Sequence, residues 1–139
     1  MFQRMQTLWL FFAAVCAFLT IRLSFYSGNT APDGQPASFQ YLNASFNIWI
    51  LVLTVALICI AVITIFLYKN RKLQLRIVLV GILLSLVVLY LYIRETGRFI
   101  HGAYSLTAIF SLLIPVFFIL AARGISKDQK LVKSLDRLR

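Results

Sequence analysis

Acidic residues are scarce in this chain. Four Asp and Glu and a single His stand against fourteen Lys and Arg among 139 residues. General acid-base or metal chemistry needs several titratable groups that converge, and a chain this poor in them is a weak candidate for an enzyme. Asp33, Glu95 and His101 are separated in the sequence from Asp128 and Asp136, and no HExxH, GxSxG or phosphate-loop spacing occurs. The two cysteines, Cys16 and Cys59, lie alone inside apolar runs and read as small hydrophobes, not as a disulfide or a metal pair. No cofactor or metal is expected.

Charge is also missing from long stretches. Hydrophobic residues make up 61% of the chain and the mean hydropathy is +0.89, well beyond an ordinary water-soluble globule. Residues 48–68, IWILVLTVALICIAVITIFLY, are 21 uncharged residues, and at ~1.5 Å per residue they cover roughly the 30 Å of a bilayer's hydrocarbon core. Three further runs read the same way, giving spans at about 5–25, 48–68, 77–93 and 103–122, an outer loop at 26–47 and a cytoplasmic tail at 123–139. The first run lacks a signal-peptidase site of A-x-A type and is read as a span. The expected fold is an all-α membrane protein, an up-down bundle of four transmembrane helices.

Basic residues set its orientation. Eleven of the fourteen Lys and Arg fall at the start of the chain, in 69–76 and in the tail, whereas only Arg22, Arg94 and Arg98 fall on the other side. Positive residues are retained in the cytoplasm, so both termini are expected inside. The net charge of +10 is thereby explained as a topology signal, and no nucleic acid is expected.

Within the spans, Gly81 and Ser85 have the small-xxx-small spacing that lets helices approach in lipid, and Ala103, Thr107 and Ser111 form a second ridge, followed by Pro115. A Pro there marks a kink that neighbouring helices tolerate, with a hinge as the sharper alternative. The loop aromatics Phe25, Tyr26, Phe39, Tyr41 and Phe46 suit the membrane surface, as do Tyr90 and Tyr92. Arg94, Glu95, Arg98 and His101 form a dense polar group that reads as a capped, solvated turn, with anion or headgroup binding as the alternative. In the tail, Ser126 and Gln129 have capping-box spacing and Leu131, Leu135 and Leu138 recur at helical spacing among Lys and Arg. This predicts a short basic amphipathic helix on anionic headgroups at the cytoplasmic face.

Both ends of the sequence are distinctive. Met1-Phe2-Gln3-Arg4-Met5-Gln6-Thr7 at one end, and Lys127-Asp128-Gln129-Lys130-Leu131-Val132-Lys133-Ser134-Leu135-Asp136-Arg137-Leu138-Arg139 at the other, resemble an uncharacterised family of small four-span inner-membrane proteins of Bacteroidetes. The family pattern has Ile at the place of Met5 and a basic residue at the place of Ser126, both mild departures. The resemblance implies location and architecture, in a bacterial inner membrane, and carries no function with it because the family's own function is unknown.

Since both of these ends are expected on the cytoplasmic face, Gln3, Arg4, Gln6, Lys127, Asp128, Lys130, Asp136 and Arg137 are expected to form one contact surface, with Asp128 or Asp136 pairing with Arg4. Dry spans without charge give little to bind or transport. The sequence therefore points to a non-catalytic accessory or scaffold subunit with a protein partner in a membrane complex. The alternative is a transporter or channel for a lipid-like or apolar solute formed by a homo-oligomer. A hydrated pocket at Thr54, Ser85, Thr107 and Ser111 would favour that alternative.

Overall fold

The computed structural model describes residues 2–30, 36–67 and 69–137, and the side chains of 5–30, 36–67 and 69–134. Its elements are α1 (Phe2–Arg22), β1 (Tyr26–Thr30), β2 (Ser38–Leu42), a 3-10 turn (Ala44–Phe46), α2 (Ile48–Phe66), α3 (Arg71–Thr96), β3 (Phe99–Tyr104) and α4 (Ala108–Arg137). All four helices are long and apolar enough to cross a membrane. The chain is a mostly helical, multi-pass membrane protein.

Each helix buries one narrow stripe. In α2 it is Ile50, Thr54, Leu57, Ala61 and Thr64, and in α3 it runs from Gln74 through Val78, Gly81, Ser85, Val88 and Tyr92 to Glu95. Steps alternating between four and three residues are the 3.5-residue repeat of helices packed with their axes nearly aligned. α1 repeats it with Gln6, Leu10, Ala13, Ala17 and Thr20. The remaining faces are apolar and open, with Trp49 71% and Phe66 73% exposed, which lipid accommodates and water would not.

The helices form a four-cornered bundle in which α1 touches α2 and α4, and α3 touches the same two. Contacts at both ends show that neighbours run antiparallel. Gln6 of α1 meets Asp128 late in α4, while Ser24, just past α1, meets Ser105, just before α4. Gln74 early in α3 meets Thr64 late in α2, and Asn47 at the start of α2 meets Glu95 late in α3.

The sheet departs from the sequence-based expectation. Residues 26–47 and the 94–102 turn read as irregular, yet they supply a three-stranded antiparallel sheet of order β2-β1-β3. Gly28 faces Gly102 in the β1–β3 register. A Cβ on Gly28 would lie 2.6 Å from Gly102 Cα, and one on Gly102 would lie 2.5 Å from both Ser27 O and Tyr26 Cε1. The strands approach closely because neither residue has a side chain, and the Tyr26 ring covers the gap. Phe25 and Tyr92, both expected at the membrane surface, are instead buried and stack with centroids 4.8 Å apart. Phe39 and Tyr41 do stay exposed.

Element ends shift as well. α3 begins at Arg71, not at 77, because 71–76 holds good helix formers and no breaker. α4 begins at Ala108, since Ala103 and Tyr104 are held in β3 opposite Ser27 and Tyr26. Ala103 is therefore not on a ridge with Ser111. The tail is not a separate helix, because α4 runs unbroken through Pro115 and Gly124 to Arg137. Ser126 lies inside it and caps nothing. The expected turn at 31–35 lies outside the described residues.

Candidate functional site

The basic end of the bundle is tied together by side chains of α1, α3 and α4 and a main-chain carbonyl of α2. Gln6 lies on the buried stripe of α1 and is 5% exposed, so its amide needs partners inside the protein. Its Nε2 donates to Asp128 Oδ2 at 2.6 Å. Asp128 is itself 7% exposed, and its main-chain carbonyl accepts from Arg71 Nη1 of α3 at 3.2 Å. Gln74 of α3 donates to the Thr64 carbonyl of α2 at 3.1 Å. The Thr64 hydroxyl is spent on Ile60 O, 2.6 Å away.

Gly124 makes the α1–α4 contact possible. A Cβ there would lie 2.8 Å from Gln6 Cγ, so Gln6 crosses α4 where a side chain is missing. A helix-interior Gly costs about 1 kcal/mol relative to Ala. The charge-assisted bond it permits offsets that.

The sheet end has a smaller polar junction. Asn47 caps α2 by accepting from Trp49 N–H at 3.1 Å and donates from Nδ2 to Glu95 Oε1 at 3.0 Å. Glu95 is 4% exposed, and its Oε2 is 3.0 Å from Arg98 Nε. The expected polar group is thus divided: Glu95 and Arg98 are joined, whereas Arg94 and His101 stay exposed and His101 sits on β3 opposite Asn29.

Of the residues expected to form one contact surface, the structure joins Gln6 and Asp128, while Lys127 and Lys130 lie exposed. The side chains of Gln3, Arg4, Asp136 and Arg137 lie outside the described residues, and with them the expected pairing of Arg4. Among the packing residues, Gly81, Ser85, Ser111 and Pro115 are buried, Thr107 is half-buried and donates to Ser24 O, and Ala103 is exposed. Arg71, Gln74, Gly124 and Asn47 escaped sequence reasoning. For Arg71, Gln74 and Asn47 the signal was polarity in register with the buried stripe at the edge of an apolar run, whereas Gly124, one place before the buried Ile125, offered only its small size.

The family described as a domain of unknown function (DUF4293) matches residues 2–138. The chain belongs to this family. Residues 2–138 take in both polar junctions and all four helices, so the family extends over the whole bundle and its sheet. No curated protein and no solved structure matches the chain.

Proposed function

We propose that this family member is a non-catalytic accessory or scaffold subunit of a larger complex in a bacterial inner membrane, with both termini in the cytoplasm. Its host would be a member of the Bacteroidetes, as the two ends of the sequence suggest, and protein translocation or envelope biogenesis is the machinery it would serve. The charge asymmetry supports the orientation. The observation that carries the reading is the sheet. β2 and β3 are both edge strands, and Phe39, Tyr41, Ile100 and Tyr104 on them are 58 to 63% exposed. Open edges with outward apolar side chains are templates for another chain.

The bundle interior supports assembly over transport. Thr54, Ser85 and Ser111 are buried, and the hydroxyls of Thr54 and Ser85 donate to Ile50 O and Ile82 O of their own helices. Polar groups spent in this way present nothing to a solute. Gentle detergent extraction of the tagged protein from its own host, with mass spectrometry of what co-purifies, tests the proposal. A partner in near-equal amounts is expected. Recovery of the chain alone or as a homo-oligomer would overturn it in favour of an apolar-solute channel.

A further inference from the structure

Between the α2–α3 turn and the last described turns of α4 lies an open groove of about 920 Å³. Five cations line it: Lys69, Arg71, Lys72, Arg76 and Lys133. Among the described residues no carboxylate lines it. The nearby Asp128 spends its carboxylate on Gln6 and offers Arg71 only a main-chain carbonyl. Like charges gathered with no counter-ion among the described residues repel, and the backbone adds to the imbalance. The first turn of α3 opens on this groove with no acidic residue and no side-chain cap from Asn70, so its unbonded N–H groups and positive dipole end carry the same sign.

A neutral group points the same way. Nε2 of Gln129, which also lines the groove, is buried and has no hydrogen-bond partner among the described residues. A dry donor without an acceptor is costly. An acceptor-only anion would satisfy the donor, the helix end and the cations together. Leu73 and Val132 complete the lining and are 45% and 42% exposed. A soluble phosphate has no use for them, whereas an acyl chain does.

We propose that this groove is a saturable site for the phosphate headgroup of an anionic phospholipid. The cations and the α3 N-terminus hold the phosphate, Gln129 donates to one of its oxygens, and Leu73 and Val132 receive the upper acyl chain. The site needs only that this end lies at a membrane surface. It does not rest on the scaffold reading, and the test uses the isolated protein, so either can fail alone.

The test places the full chain in nanodiscs of neutral phosphatidylcholine, titrates in phosphatidylglycerol, and counts retained lipid by native mass spectrometry. One tightly retained phosphatidylglycerol per chain is expected. Lys72→Gln with Arg76→Gln should weaken retention at least tenfold. Lys127→Gln with Lys130→Gln, which removes the same charge from exposed positions of α4 outside the groove, should change it less than twofold. If the first pair disturbs folding, Lys69→Gln with Lys133→Gln, both at exposed positions, replaces it. Equal losses from groove and control pairs would reduce the effect to diffuse attraction and overturn the site. Displacement of the lipid by millimolar inorganic phosphate would assign the groove to a soluble anion and overturn the lipid.

Discussion

Asp128→Ala removes the acceptor from Gln6, and its cost can be worked from the geometry. The bond is short at 2.6 Å and joins two residues that are 5% and 7% exposed. A hydrogen bond to a charged group contributes about 1.5–3 kcal/mol, and a buried amide left without a partner costs about 1–3 kcal/mol. Removing a buried carboxylate also relieves its desolvation, which works against that loss. Neutral side-chain bonds between membrane helices average only about 0.6 kcal/mol. The carboxylate decides the balance: Asp128→Ala should destabilise by about 2 kcal/mol, and Asp128→Asn, which keeps an acceptor without charge, by about 1 kcal/mol. The clean measurement is a double-mutant cycle with Gln6→Ala, read as reversible unfolding in bicelles. A coupling energy of about 1–2 kcal/mol is expected. Additivity of the two substitutions to within about 0.3 kcal/mol would refute the claim that this pair ties α1 to α4.

Substitutions at two further sites, Gly81 and Asn47, probe other ties. At Gly81 a Cβ would lie 2.7 Å from Phe118 Cε1 and 3.0 Å from Cδ1; Gly81→Ala should cost about 1–3 kcal/mol in the same unfolding assay, and Phe118→Leu in that background should recover part of it. Asn47→Ala removes both the α2 cap and the bond to Glu95, and should cost about 2 kcal/mol, whereas Asn47→Asp keeps the cap but sets a second carboxylate against Glu95 and should be no better than Ala in a melt at neutral pH.

The spans were legible because an uncharged apolar run as long as a bilayer is thick has little place in a fold surrounded by water. The buried face was not. Lipid-facing and core-facing residues are both apolar here, so hydropathy does not separate Leu83, 65% exposed on the outside of α3, from the buried Val78 on the inside. What separates the faces is size and polarity. Thr54, Ala61 and Thr64 in α2, and Gln74, Gly81 and Ser85 in α3, fall on one 4-3 register. Without a hydrophobic force between helices in lipid, close approach and hydrogen bonds select that stripe. The Gly81–Ser85 pair was a visible part of the signal, whereas Ala103 misled because a small residue before a helix resembles one inside it. The polar ends were half legible. Gln6 and Asp128 stood out as members of distinctive segments, yet Arg4, the more obvious partner for an acid, drew attention from the neutral amide that holds it. Gly124 gave little local signal, because its role depends on a side chain 118 residues away in sequence.

The sheet and the helix order are a single question. A connection as long as the one after α1 does not by itself fix whether α1 stands beside α2 or α4, and in the bundle it touches both. β1 follows α1 within a few residues and β3 ends just before α4. Once α1 and α4 pack antiparallel, the segment leaving one and the segment entering the other emerge side by side in opposite directions. This is the geometry of an antiparallel strand pair. Gly28 and Gly102 then let them close, and Ser24–Ser105 at 3.0 Å joins the helix pair to the strand pair. Local sequence could not reveal the pairing, because 26–30 and 99–104 carry no mutual signal except two glycines. The helix contact at Gln6, Gly124 and Asp128 sets the same helix pair at the opposite end. Tightening either end of the α1–α4 pair favours the other, so the sheet that offers its edges outward is held in register by packing that runs the length of the bundle.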